Sequence, residues 1–306
     1  MRMLFTWLRI AGESDKSWQL RWKGCLVFLS AAMLISPSVP NCVAQPQPPE
    51  LAGIAHVAIR VSDLTRSTDF YEKLGFEEAF AMNQGGKPTE AFLKVNDRQF
   101  IELYPQRQSS EPIGFMHVCF ESNEIEGLNR FYLAHGLSPN PVKRAGAGNL
   151  LFTMQGPEKQ NIEYTRYMPG SKHSNDRGMH LGASRISDEI VAVGIEMQDP
   201  AAARRFYEEQ LVFKPKPVLD PGQIRLELPG QSGQFVEIVQ RTPGSAVQLL
   251  FAVSDFERTT EQLKALNLAV EMHKNTLSTS DPEGNQIAFI KRVGNSKLNE
   301  PHKTPH

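Results

Sequence analysis

IAHVAIRVSDLTRSTDFYEKLGFEEAF, Ile54–Phe80, reads as one structural unit: strand, turn, helix, strand. Side chains two apart in a strand share a face, so Ile54, His56, Ala58 and Arg60 point one way. Ala55, Val57, Ile59 and Val61 point the other, and that wholly apolar set is a core face. Ser62, Asp63 and Thr65 offer N-cap oxygens to the helix, Phe70 and Tyr71 with Leu74 give it an apolar side, and Gly75 suits the left-handed position that ends it. Further apolar runs follow at Ala91–Val95, Gln99–Pro105 and, after Pro112, Gly114–Glu121.

The same pattern returns at Ile190–Lys214, where Asp199 aligns on Asp63 and Phe206-Tyr207 on Phe70-Tyr71 at an offset of 136 residues. QFVEIVQ mirrors QFIELYP and sets Glu237 against Glu102. Looser copies begin at His117 and Gln248 and close with GPEKQNIEYTRY and DPEGNQIAFIKR. Four strand-helix-strand units are therefore expected. A unit with one helix on one face of a few strands cannot bury its other face alone, so the units must pair.

His56 and Glu102 stand 46 residues apart, and His117 and Glu163 repeat that spacing 61 residues later, each within a strand-like run. Taken singly, a His or Glu in a half-buried strand merely hydrogen-bonds. Recurrence as a set points instead to one His and one Glu per unit presented to a shared cation, and two imidazoles with two carboxylates suit a divalent ion of borderline hardness. Zinc, nickel, cobalt, manganese and iron all fit. The second half serves as a control: the aligned residues are Ala192, Glu237, Gln248 and Ala288, so the unit exists there without the ligand set. The metal therefore requires the first unit to meet the second, within one chain or by exchange between two chains of a homodimer.

These modules resemble the vicinal oxygen chelate superfamily, which includes glyoxalase I, extradiol dioxygenases, methylmalonyl-CoA epimerase and bleomycin and fosfomycin resistance proteins. The resemblance covers residues 51–292 and implies an α+β fold. It consists of four βαβββ modules in two tandem pairs, each pair a curved open mixed sheet enclosing a cavity with its helices outside. Within the family a His-Glu-His-Glu set is the glyoxalase I pattern, matched by His56, Glu102, His117 and Glu163 as metal ligands. It implies a lyase or isomerase working by metal-stabilised enolate proton transfer, with Glu163 as base and Glu102 exchanging roles with it. Arg60 matches the arginine that holds a carboxylate of the glutathione moiety, Lys143 approximates a family lysine near that pocket, and Gln106 stands where the family prefers Asn. The alternatives are an iron-dependent extradiol dioxygenase and a non-enzymatic small-molecule binding or resistance protein.

With 33 basic and 34 acidic residues and 40% hydrophobic composition, the 306-residue chain builds real cores and carries no electrostatic footprint for nucleic acid. A small molecule is the expected partner. Residues 1–44 read as a secretory signal: basic residues precede the apolar stretch Cys25–Ile35, which is too short to span a bilayer, and Asn41-Cys42-Val43-Ala44 offers a cleavage point. The mature chain would be periplasmic or secreted with Cys119 as its one cysteine, or membrane-anchored if uncleaved. A linker at 45–50, the first module pair at 51–170, a polar Gly-rich linker at 171–188, the second pair at 189–293 and a loose tail at 294–306 complete the reading. His173 and His180 fall in the second linker and are expected in a solvated loop, the alternative being that they bind substrate or metal. Cys119 is expected to be a small buried thiol.

Overall fold

The computed structural model describes residues 47–218, 222–241 and 248–292. All lie in Pro46–His306, one of two units into which the chain divides; the other is Met1–Gln45. The expected export segment 1–44 and the tail 294–306 lie outside the described residues.

Four βαβββ modules follow one another. The first is β1 (Gly53–Val61), α1 (Leu64–Lys73), β2 (Glu78–Gln84), β3 (Lys87–Asn96) and β4 (Gln99–Pro105). The second is β5 (Gly114–Glu121), α2 (Ile125–Ala134), β6 (Lys143–Arg144), β7 (Leu150–Gln155) and β8 (Asn161–Arg166). After the short helix α3 (Lys172–Asn175) come β9 (Ile190–Met197), α4 (Pro200–Arg205), β10 (Lys214–Pro215), β11 (Ile224–Glu227) and β12 (Phe235–Gln240). The fourth module is β13 (Gln248–Val253), α5 (Phe256–Ala265), β14 (Glu271–His273), β15 (Thr276–Ser280) and β16 (Gln286–Lys291).

Each pair of modules forms one eight-stranded mixed sheet, ordered β2-β3-β4-β1-β5-β8-β7-β6 in the first half and β10-β11-β12-β9-β13-β16-β15-β14 in the second. Modules one and two therefore meet inside a single chain, through the antiparallel pair β1–β5. Along that seam His56 faces Cys119 and Ala58 faces His117. Since residues 58 and 119 also differ by 61, the repeat offset is a local two-fold relation between the modules.

Of the three oxygens offered to α1, Asp63 is the cap, accepting from Arg66 N, and Asp199 and Asp255 cap α4 and α5 in the same way. Gly75 ends α1 at φ +86, and a Cβ there would stand 2.4 Å from the Arg185 backbone. The inter-half linker thus packs directly on the first module. Val57, Ile59 and Val61 join a buried core shared by both halves, through contacts such as Phe76 stacked on Phe251 at 5.2 Å and Phe120 edge-on to Phe213 at 5.5 Å. The core lies on the sheet face opposite His56, so the candidate ligand residues sit on the other face.

Candidate metal centre

Register alone assembles the four candidate ligand residues. β4 runs parallel to β1 and sets Glu102 opposite Ala58; β8 runs parallel to β5 and sets Glu163 opposite Cys119. His56 and His117 are staggered across the seam between them. Their Nε2 atoms lie 3.1 Å apart, His56 Nδ1 is 3.1 Å from Glu102 Oε1, and His56 Nε2 is 3.4 Å from Glu163 Oε1. Ligand atoms of His56, Glu102 and His117 all fall within 4.8 Å of one another, and so do those of His56, Cys119 and Glu163. His56 belongs to both groups and is the hub.

These residues fit a divalent cation. His56 Nδ1 is buried and has no hydrogen-bond partner among the described residues, although a carboxylate oxygen lies nearby. An orphaned ring nitrogen among converging acceptors is costly unless something outside the protein satisfies it. His56 and Glu102 are buried while His117 and Glu163 are half-buried, so the cluster is open to an incoming ligand on the module-two side.

Burial penalises charge throughout the cluster, and neighbours decide which groups escape. Desolvation lifts the Glu102 carboxyl to about 8 despite the opposing pull of His56, with Glu163 and Glu90 adding to the rise. Desolvation drops His117 to about 4. His56 is held above the ordinary imidazole range in spite of its burial, because Glu102 and Glu163 flank it. Glu163 is held below the ordinary carboxylate range against its own desolvation, chiefly by bonding to His56. Two carboxyl groups in one site are thereby pushed apart, as acid–base pairs require.

Arg60 and Gln106 come together, at the turn that follows β4. Arg60 Nη1 donates to the Pro112 carbonyl at 3.0 Å and Gln106 Nε2 to the Glu111 carbonyl at 2.6 Å. Lys143 stands exposed on β6, the far edge strand of the same sheet. In the second half Ala192 and Ala288 are buried, Arg225 Nε pairs with Glu237 at 2.7 Å, and Gln248 bonds Gln286.

Glu90 enters the site unforeseen, and Cys119 and His173 enter it against their default readings. Glu90 lies on β3 two residues from Phe92, the register partner of Glu102, and desolvation raises its carboxyl above the ordinary range. Its alternation with Phe92 and Lys94 on one strand face was the available signal. Cys119 is buried as expected, and its Sγ is a candidate ligand atom grouped with His56 and Glu163. His173 corrects the solvated-loop reading. His180 is exposed and pairs with Asp176, but His173 is buried on α3, packed edge-on against Phe80, Phe92 and Phe100 at 4.7–5.3 Å and stacked on Tyr167 at 5.1 Å.

Lys94 anchors that segment. Its fully buried Nζ donates to Asp176 Oδ2 at 2.8 Å and to the carbonyls of Asp176 and Met179 at 2.6 and 2.7 Å, and it pairs with Asp97 at 2.9 Å. Replacing it with Met takes the buried cation from Asp176 and leaves His180 beside that carboxylate, so a loss of about 3 kcal/mol, the low end for breaking a buried pair, is expected from urea unfolding. A loss under about 1 kcal/mol would show that the segment is not anchored there.

A model of the Glyoxalase/Bleomycin resistance protein/Dioxygenase superfamily matches residues 53–164, the span that holds all four candidate ligand residues. No curated protein matches the chain in sequence. Among solved structures, the 2,3-dioxygenase LapB from Pseudomonas sp. KL28 is similar at TM-score 0.61 and 16% identity, over 80% of this chain and 94% of that one. The Mn(II)-bound glyoxalase from Novosphingobium aromaticivorans is similar at TM-score 0.61 and 14% identity, over 79% and 82%. An extradiol ring-cleaving dioxygenase from B. fuscum is similar at TM-score 0.62 and 13% identity, over 80% and 73%. At such identities these structures establish the fold alone. Residues 53–164 thus form a domain that matches the Glyoxalase/Bleomycin resistance protein/Dioxygenase superfamily, and the paired βαβββ modules of both halves are consistent with the vicinal oxygen chelate fold.

Proposed function

We propose that this protein is a divalent-metal-dependent lyase or isomerase of glyoxalase I type, acting on a small oxygenated or thiol-conjugated substrate. The observation that carries the reading is the convergence of two His–Glu pairs on one point across the β1–β5 seam, with His56 shared between them. His56, Glu102, His117 and Glu163 would hold the ion. A bound divalent cation supplies Lewis-acid polarisation of a substrate carbonyl. Glu163, kept ionised beside His56, takes the proton from the adjacent carbon. Glu163 would then return that proton to the neighbouring carbon, with Glu102 able to exchange roles with it, so the carboxylate is regenerated at the end of the cycle. Tyr104 fixes the second oxygen of Glu102 by donating to Oε2 at 3.1 Å. Arg60 and Gln106, at the Glu111–Pro112 turn, are the groups proposed to meet the far end of the substrate, with Lys143 more distant.

Turnover of the methylglyoxal–glutathione hemithioacetal by metal-reconstituted protein tests the reading. Glu163→Gln is expected to lower kcat by about 10²–10⁴, the range for a proton-transfer group, while retaining metal. Full turnover by Glu102→Ala would refute the lyase assignment.

The second reading is an iron-dependent extradiol dioxygenase, favoured by the similarity to two dioxygenase structures over about four fifths of the chain. Ring cleavage of a catechol after anaerobic ferrous reconstitution, with no hemithioacetal turnover, would select it. We further propose export directed by residues 1–44. Mature protein recovered from the periplasm or medium should begin near Gln45 on N-terminal sequencing, and an intact Met1 there would count against cleavage.

A further inference from the structure

His173 is 5% exposed, and its Nε2 has no partner among the described residues. Its tautomer can be worked out from its neighbours. Met168 N donates to Asn149 Oδ1 at 3.1 Å, which turns the Asn149 amide nitrogen toward the imidazole. Asn149 Nδ2 then donates to His173 Nδ1 at 2.9 Å. A ring nitrogen that accepts carries no proton, so the proton of the neutral ring sits on Nε2. The result is a buried N–H donor lacking an acceptor, a state that folded chains rarely tolerate without a purpose.

Its location supplies the purpose. Phe92 is the register partner of Glu102 and Phe100 precedes Glu102 by one strand repeat, so His173 packs on the ligand-bearing face of the sheet. The charges of His56 and Glu163 reach its ring, and among the described residues no group of candidate ligand atoms includes it, so it neighbours the cluster without joining it. Lys94, on the same face of β3 as Phe92, locks the α3 segment down through Asp176. The aromatic box allows the ring little freedom to turn.

We propose that His173 is a substrate-binding residue, whose Nε2–H donates to an acceptor oxygen of the small molecule held at the metal centre. The inference rests on the metal reading of that centre. Desolvation holds the imidazole at about 3, so the donor stays neutral throughout the physiological range. A neutral donor favours a substrate with a carbonyl, enolate or phenolate oxygen directed toward β2–β4, because it stabilises developing negative charge without a fixed ion pair.

The test uses the full chain loaded with Co²⁺ and 4-nitrocatechol, a chromophoric vicinal-oxygen probe. His173→Phe keeps the packing and deletes the donor; His173→Gln restores an N–H. Equal cobalt content is expected in all three proteins. The probe Kd should rise about tenfold in the Phe variant and recover most of that in the Gln variant, the scale of one hydrogen bond to a charged acceptor. Unchanged probe affinity in His173→Phe at equal cobalt content overturns the donor role. A wild-type chain that takes up no cobalt overturns the metal reading instead, and the donor role with it. Zn²⁺-loaded wild type needs no variant: ¹⁵N–¹H spectra of the imidazole should show the Nε2–H tautomer, with its proton moving on addition of 4-nitrocatechol. A stationary resonance also refutes the proposal.

Discussion

A chain carrying His56→Ala is expected to fold normally and to lose both its metal and its activity. His56 lies within 3.5 Å of Glu102, His117 and Glu163 at once, so deleting it removes the hub of both candidate ligand groups. The strand should tolerate the change, because Ala192 occupies the aligned position of β9 and is completely buried in a strand with the same pairings. Outer-shell partners of metal ligands cost about 10–100-fold in affinity when mutated, and a shared direct ligand should exceed the upper figure. Elemental analysis after dialysis should fall from one ion per chain to a trace, and metal-induced thermal stabilisation should vanish. Retention of a full ion by His56→Ala would place the metal elsewhere. Glu237→Gln in the second half is the matching control: aligned with Glu102 but paired with Arg225, it should leave metal content unchanged.

Metal affinity is expected to climb with pH and level off near 8. The sign follows from competition for the same atoms: a cation binds deprotonated ligands, while the empty cluster holds protons on Glu102 up to about 8 and on His56 above the ordinary imidazole range. Each proton displaced weakens binding about tenfold per pH unit, so with both groups protonated the fall toward acid approaches roughly 100-fold per unit. His117, already neutral above about 4, contributes nothing to this slope. The metal-free fold should show the opposite trend. Because the folded-state value of Glu102 is raised from 4.5, its contribution to stability is complete below 4.5 and is lost as pH rises through about 8. Calorimetric titration at pH 7 in buffers of different ionisation enthalpy should count between one and two protons released per ion bound. Zero release would contradict the charge states assigned here.

Within each strand, the face on which a residue lies follows from backbone geometry alone. The grouping of His56 with Ala58 and Arg60, against Val57 and Ile59, was therefore legible from alternation, while the sequence offered Asp63 only as one of three N-cap oxygens and the structure chose it. The repeat offsets placed one His and one Glu per module, and the alanines at 192 and 288 marked the half that lacks the ligand set. Glu90 was missed because a lone carboxylate on a strand shows no repeat, and only the β3–β4 register carries it beside Glu102.

What the sequence determined by itself was periodicity: the four modules, their core faces and the spacing of the ligand residues, all properties of short stretches of chain. The tertiary structure decided which surfaces meet. It joined β1 to β5 within one chain, laid α3 over the first sheet, and brought Lys94 to Asp176 across 82 residues. Such contacts depend on the summed packing of surfaces remote in sequence, so no local pattern announces them. The polar stretch around His173 reads as linker for that reason, although its imidazole is buried against the wall of the metal centre.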